Sequence, residues 1–499
     1  MKKKILAFWL AVILTALAVV ACSPAAGPSV DTEETKAAET VAQTEPETEA
    51  PTTKWGNNPI DLRFDGKEFK IATYLDGNLS EGWACYFDID EPEQSDTMQV
   101  ASFNRNTKIE EDFGVEITCD EPWNWWGGSE GYLYMITLLD SGDTTYQLFF
   151  LESYINLALL VIDERLYDIG SLPYLNLEAD YYNHAYNDLC RLGTKYLTIA
   201  SDMTYPCQSA VRLYVNKQRL TDVFGDESYI YNFVDSGDWV FDKMFEVVTG
   251  QNEDVNHDNV MDGNDYYGFA GHPDSWCYMF PSSGLRGTYL TDTGFEFDYG
   301  TQKAVDVVDK IAEFVTKPEV RVKEWSDASI FFNGNSLFTM SGSELRELRY
   351  KETTFGVGVV PFPKFDDEQE HYYAYGAGGG LVVPVNLDEP ELTGAMIEAM
   401  SYGSHEYLVP AFYETFVQQK VLQDDKSKEY WSKMMSDWNF REFTQVFAPI
   451  EDIRFYGPAF KMINRISTGG TNTYSSYWDQ ISESMRLICD QFYISFMSD

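Results

Sequence analysis

An α/β fold in two lobes is what this chain predicts, on three observations. Strand-like runs that alternate apolar and polar residues trade places with helical runs, the order that builds a mostly parallel sheet with helices on its faces. The part of the 499 residues with a globular composition is roughly 440 residues long, more than one hydrophobic core usually serves. The residues before it have a quite different make-up and set the folded part apart.

Lys2, Lys3 and Lys4 precede an apolar run from Ile5 to Ala21, and Val19-Val20-Ala21 stands directly before Cys22. This is the pattern of a secretory signal with a lipobox-like ending, in which the cysteine thiol accepts a lipid before cleavage. Residues 1–21 therefore read as a lipoprotein signal peptide and Cys22 as the lipidation site. The mature protein is expected on the extracellular side of the cell membrane, on a lipid anchor. A membrane-spanning helix is the weaker reading, because the run is short for a ~30 Å hydrocarbon core and no basic stop-transfer cluster follows.

Residues 22–60 are assigned to a disordered acidic linker rich in Pro and Thr. Ala, Thr, Glu, Pro and Ser dominate it, too little apolar surface to fold. Pro24, Pro28, Pro46 and Pro51 stiffen it and its carboxylates repel one another, which suits an extended stalk. The composition changes near Trp55.

The formal net charge of -44 excludes nucleic acid as a partner, since a phosphate backbone needs clustered Lys and Arg and none follows the signal. Beyond Cys22 stand Cys85, Cys119, Cys190, Cys207, Cys277 and Cys489. An even number outside the cytoplasm permits disulfides, and Cys190 with Cys207 is the nearest pair in sequence. Their spacings match no zinc ribbon.

Along the chain, Glu68 to Tyr74 alternates as a strand, and Asp96-Thr97 opens a helix carrying Met98, Ala101, Ile109 and Phe113, stopped by Gly114. Val115 to Cys119 is the next strand, Tyr132 to Leu139 a helix, and Tyr146 to Leu151 a third strand. Lys195 to Ala200 and Ala210 to Val215 are strand-like, and Trp239 to Val248 is helical. Ala304, Val305, Val308, Ile311, Ala312 and Val315 make one stripe of a further helix. Phe355 to Val360 and Gly380 to Pro384 read as strands. From Glu391 the chain is mostly helical, with Pro390 suited to a first turn. No repeat of fixed period is evident.

Several short motifs in this order resemble a known family. They are Asn104-Arg105-Asn106 through Phe113-Gly114-Val115, Ser141-Gly142-Asp143, Tyr167-Asp168-Ile169 with Leu172-Pro173-Tyr174-Leu175, Leu213-Tyr214-Val215-Asn216-Lys217, Gly237-Asp238-Trp239, and Phe355-Gly356-Val357-Gly358-Val359-Val360-Pro361-Phe362-Pro363. Together they look like the extracellular solute-binding proteins of the maltose-binding type that serve ABC importers. The resemblance spans about residues 66 to 435 and is less clear beyond.

It implies a two-lobed periplasmic-binding-protein-like fold (type II) with a helical C-terminal region and a ligand cleft that closes like a hinge. Lobe 1 is expected to hold 61–210 with 372–403, and lobe 2 to hold 211–371 with 404–499. Ala210 to Asn216 is expected as the first crossing and Tyr372 to Gly380 as the second. Gly376, Gly378, Gly379 and Gly380 suit a hinge that absorbs large backbone changes in few residues; a plain loop before a strand is the alternative. Cleft residues in the family come from loops at strand C-termini, which points to Asp76, Trp123, Glu152, Asp202, Trp276 and Tyr375. The implied partners are a small-molecule ligand, an oligosaccharide foremost, and separate ABC permease subunits; the chain is expected to act as a monomer.

Asp254, Asn256, Asp258, Val260, Asp262 and Asp265 stand at positions one, three, five, seven, nine and twelve of an EF-hand-like loop, all offering oxygen to a hard cation, with Val260 giving its carbonyl. Calcium in a structural role is the expectation. Asn259 stands where glycine makes the sharp turn, and Asp265 replaces a longer glutamate. An acidic surface turn is the plain alternative.

Aromatic residues make up 15% of the chain, and flat side chains beside carboxylates suit saccharides. Gly127-Gly128-Ser129-Glu130-Gly131 fits G-x-S-x-G, but Trp123 to Trp126 is a poor strand end for a nucleophile elbow. No H-E-x-x-H and no Walker loop occur. No catalytic residue is assigned. The competing readings are a secreted, calcium-stabilised glycoside hydrolase and a surface adhesion protein.

Overall fold

The structure, a computed structural model, describes residues 52–75, 86–124, 130–152, 157–204, 209–291, 293–341, 353–377, 379–413, 422, 424–435, 439–440 and 457–496. All belong to one compact unit, Pro51–Asp499. Cys22, Asp76, Cys85, Cys207 and Gly378 lie outside the described residues. Cys119, Cys277 and Cys489 are free thiols.

In chain order the principal elements are β1 (Lys67–Leu75), α1 (Thr97–Phe113), β2 (Val115–Asn124), α2 (Glu130–Ser141), β3 (Leu148–Glu152), β4 (Ser209–Ala210), β5 (Arg212–Asn216), α3 (Phe241–Val248), β6 (Asn252–Glu253), β7 (Tyr266–Ala270), α4 (Gln302–Val315), β8 (Val320–Arg321), β9 (Ser336–Ser341), β10 (Val357–Val360), β11 (Ala374–Ala377), β12 (Gly379–Val382), α5 (Pro390–Pro410), α6 (Asp425–Met435), β13 (Asn439–Phe440), α7 (Gly457–Ser467) and α8 (Tyr474–Phe496).

Local chemistry sets their ends. Asp96 caps α1 by accepting from the amides of Met98 and Gln99, and Gly114 stops it with φ 69, a left-handed turn that glycine makes without a Cβ penalty. Thr301 caps α4, whose buried face is Ala304, Val307, Val308, Ile311, Phe314 and Val315. Pro390 opens α5 at its first turn, where a missing N–H costs nothing.

Two sheets organise the fold. In the first the strand order is β12-β3-β1-β2, with β1 parallel to both β2 and β3 and β12 antiparallel to β3. The second runs β6-β7-β9-β5-β10, with β8 also on β7. There β7 is parallel to β8 and β9, while β5 is antiparallel to β9 and β10. The expectation of parallel sheets therefore holds for the strands joined by helices. It fails where β5, β12 and the short β6 enter, because those three run in the opposite direction to their neighbours.

Helix α5 packs on α1 and the first sheet. The guanidinium of Arg105 on α1, fully buried, donates to the Ser404 hydroxyl at 2.9 Å. The expected lobe boundary between 403 and 404 thus falls inside a continuous helix that stays on the first half to Pro410. By contrast, α6 packs on β10, and α7 and α8 on α4, so the C-terminal helices cover the second half.

The fold begins earlier than expected. Thr53–Lys54 pairs antiparallel with Asn58–Pro59, inside the span assigned to the linker. Lys54 Nζ donates to the carbonyls of Leu62 and Asp112 at 2.7 and 2.8 Å, and the Trp55 ring stacks on Tyr407 with centroids 6.1 Å apart. These contacts are distant in sequence, so composition does not reveal them. Among the described residues no helix is long and apolar enough to cross a membrane.

Candidate functional site between two sheet edges

Strands β4 and β11 lie between the two sheets and pair antiparallel, Gly376 opposite Ala210 and Ala377 opposite Ser209. After β4 the chain runs into β5 of the second sheet, and after β11 into β12 of the first. Register shows which edges meet these crossings. Gly379 pairs with Glu152, the last residue of β3, so the first sheet turns its carboxyl edge toward the crossing. Ser341, the last residue of β9, pairs with Arg212, the first of β5, so the second sheet does the same. Both carboxyl edges therefore border one pair of crossing strands, the place where α/β sheets hold ligands.

At the first edge, Trp123 stands next to last in β2 but is only 7% exposed, stacked on Phe149 with centroids 6.4 Å apart. It serves the core rather than an open surface. Glu152 ends β3 at the crossing. Asp202 precedes β4, with its carboxylate 2.7 Å from His405 Nδ1 on α5. Burial pushes the Asp202 carboxyl up to about 6, against the pull of the His405 hydrogen bond.

At the second edge the segment after β7 carries the chemistry. Trp276 is fully buried against Phe241, Phe269, Phe314 and Phe362. In this conformation its ring is given to the core rather than to an open surface. The segment turns helically here, with the Cys277 amide on the Asp274 carbonyl and the Met279 amide on that of Trp276. Residues two apart consequently face different ways, and it is Tyr278 that keeps partial exposure. Its ring lies 5.7 Å from that of Tyr375, which is 1% exposed on the crossing strand and supports Tyr278 from beneath. Asp274 accepts from the side-chain amide of Asn464 on α7; burial raises its carboxyl to about 6, and that bond offsets part of the rise.

Of the proposed hinge glycines, Gly379 and Gly380 are closely packed. A Cβ on Gly379 would stand 2.6 Å from the Leu151 carbonyl and 2.5 Å from Phe150 Cζ, and one on Gly380 would strike Thr198 Oγ1 and the Tyr186 hydroxyl. Neither has a left-handed φ.

Sequence reasoning missed His272 and Trp325. His272 follows β7 and Trp325 follows β8 on the same carboxyl edge; their rings stack with centroids 5.1 Å apart and planes 13° apart. A two-residue strand such as β8 leaves no alternation to read.

The acidic loop 254–265 joins β6 to β7 at the opposite end of the second sheet. Asn259, at the sharp turn, takes φ 64, as asparagine tolerates. Asp254 accepts from the amides of Asp258 and Asn259 at 3.2 and 2.8 Å. Asp265, fully buried, accepts from those of Val255 and Asp262 at 3.0 and 2.7 Å. The backbone turn and the all-oxygen donor set fit a hard cation, while these carboxylates are turned onto their own loop. Among the described residues no group of three His, Cys, Asp or Glu side chains converges as a metal site.

No protein-family model and no curated protein matches the chain. Solved structures do. An ABC substrate-binding protein from Listeria monocytogenes in complex with cycloalternan aligns at TM-score 0.55 and 14% identity, over 84% of this chain and 99% of that one. A cyclo/maltodextrin-binding protein complexed with maltotetraose gives 0.58 and 13%, over 87% and 100%. A cyclic alpha-maltosyl-1,6-maltose binding protein from Arthrobacter globiformis gives 0.57 and 12%, over 85% and 99%. These neighbours are binding proteins, and the likeness extends over nearly their whole length. At such identities the shared property is architecture: the chain has the two-lobed α/β fold of the substrate-binding proteins of ABC transporters.

Proposed function

We propose that the protein captures an oligosaccharide between its two lobes and passes it, chemically unchanged, to an ABC importer. The observation that carries this reading is the meeting of both carboxyl edges at a pair of crossing strands; carbohydrate ligands of proteins with the same fold support the substrate class. Ligand contacts to both lobes favour a closed form that permease subunits, separate chains in the membrane, recognise. Cys22 carries the lipid that holds the chain outside the cell, and the protein works as a monomer without catalysis. The test is small-angle scattering and calorimetry of the mature chain with linear and cyclic maltodextrins. A bound glycan is expected to reduce the radius of gyration and to be recovered intact. An unchanged radius and no heat across a broad glycan panel would withdraw the ligand assignment, and release of reducing ends would make the protein a glycoside hydrolase.

The loop 254–265 is proposed to take calcium as a structural ion, held by Asp254, Asn256, Asp258, Asp262, Asp265 and the Val260 carbonyl. Bound there, the ion neutralises carboxylates crowded onto one turn and pins the β6–β7 connection. Calcium is expected to raise the melting temperature relative to chelator, and Asp258→Ala to abolish the difference. Identical melting in calcium and chelator would remove calcium from the account.

A further inference from the structure

We propose that Trp325, backed by His272, forms a distal subsite for a neutral pyranose ring, at the outer end of the second sheet's carboxyl edge. The proposal rests on the carbohydrate reading above and adds to it a determinant of ligand length.

Trp325 is 62% exposed, whereas Trp239, Trp276 and Trp431 are among the largest fully buried side chains. Among the described residues Trp123 is buried too and Trp55 and Trp478 are half-buried, so an indole left this open calls for a specific use. Its orientation is fixed. His272 covers one face in a nearly parallel stack, so the other face is the one presented to solvent. The backbone beneath is also held: Asp327, 3% exposed, accepts from Arg321 Nε at 2.8 Å and from the amides of Lys323 and Glu324 at 2.9 Å. A rigid aromatic plane loses little freedom when a ligand settles on it.

Position selects the occupant. Phe269 pairs with Val320 and Ala270 with Arg321 in parallel, so His272 and Trp325 leave the sheet at the edge that borders the crossing strands. β8 lies on the far side of β7 from β9 and β5, which puts the indole at the outer end of that edge. Lys323, Glu324 and Ser326 are exposed around it, polar groups for hydroxyls rather than the continuous apolar patch a protein partner needs. The C–H face of a sugar ring on the indole, with such groups at its rim, satisfies both. A net charge of -44 repels anionic glycans and favours neutral ones.

Calorimetry of the full mature chain with maltose, maltotriose, maltotetraose, longer linear maltodextrins and a cyclic maltodextrin tests this. Trp325→Ala is expected to weaken the longest bound glycan about tenfold and leave the shortest unchanged, with Trp325→Phe close to wild type. Thermal melts of both variants should superimpose on wild type, since the side chain is exposed. Equal binding of every glycan by Trp325→Ala would overturn the subsite and leave the carbohydrate reading standing, the indole then belonging to a protein contact. No binding of any glycan by wild type would overturn both.

Discussion

Glu398→Ala is expected to lower the free energy of unfolding by about 3–5 kcal/mol, among the largest losses from any single substitution in this chain. The carboxylate is fully buried on α5 and accepts four hydrogen bonds. Its partners are the Tyr181 hydroxyl at 2.6 Å, the Tyr182 hydroxyl at 2.7 Å, the Asn57 amide at 2.9 Å and the Asn176 amide at 3.2 Å. Truncation strands the two buried phenol donors, takes a partner from the Asn57 and Asn176 amides and opens a void, and each loss carries its own penalty. Burial, reinforced by the neighbouring carboxylate, keeps the Tyr182 phenol well above its ordinary pKa, so it remains a donor throughout the working range. Glu398→Gln keeps one acceptor but turns an amide N–H toward a hydroxyl or amide that already donates; about half the loss is expected. Urea denaturation measures both. A Glu398→Ala midpoint indistinguishable from wild type would mean that the network is not a support.

The same group ties the start of the fold to the first lobe. A Cβ at Gly56, which takes φ 78, would stand 2.7 Å from Glu398 Oε1 and 2.8 Å from the Tyr181 hydroxyl. The N-terminal hairpin therefore reaches this carboxylate only through glycine. Loss of this tie should loosen the hairpin, so proteolysis near residue 60 should speed up in Glu398→Ala.

What the sequence disclosed follows from how local each signal is. Asp96 and Gly114 act within a turn of α1, and Pro390 within the first turn of α5, so those boundaries were readable. Thr53–Pro59 was hidden because its partners, Glu398 and Ala395, lie more than 300 residues away. The family resemblance pointed to loops at strand carboxyl ends, yet it could not tell which of two nearby aromatics turns outward. That choice is made by the helical turn at 274–279 and the core it covers, and it sends Trp276 in and Tyr278 out. The α5 boundary was missed for a related reason: the helix follows α1, and only tertiary packing says which lobe it joins.

The glycines at 379 and 380 allow the two explanations of that run to be separated. Hinge freedom requires backbone angles that only glycine adopts; close packing requires only the absence of a Cβ. Close packing predicts that Gly380→Ala costs about 2–3 kcal/mol, because a methyl there meets Thr198 Oγ1 and the Tyr186 hydroxyl, both on fully buried residues. Thr198→Ala with Tyr186→Phe removes those two oxygens and should recover at least half of the loss. Gly379→Ala should cost as much or more and should resist rescue by Phe150→Ala, because the Leu151 carbonyl at 2.6 Å is backbone of the strand paired to it and has nowhere to move. Since Gly379 begins β12 directly after the second crossing, its substitution should also weaken glycan binding, as the strand is pushed off register with Glu152. Urea midpoints of the single and compensated variants decide the matter. Full stability in Gly380→Ala would show that packing does not dictate glycine there.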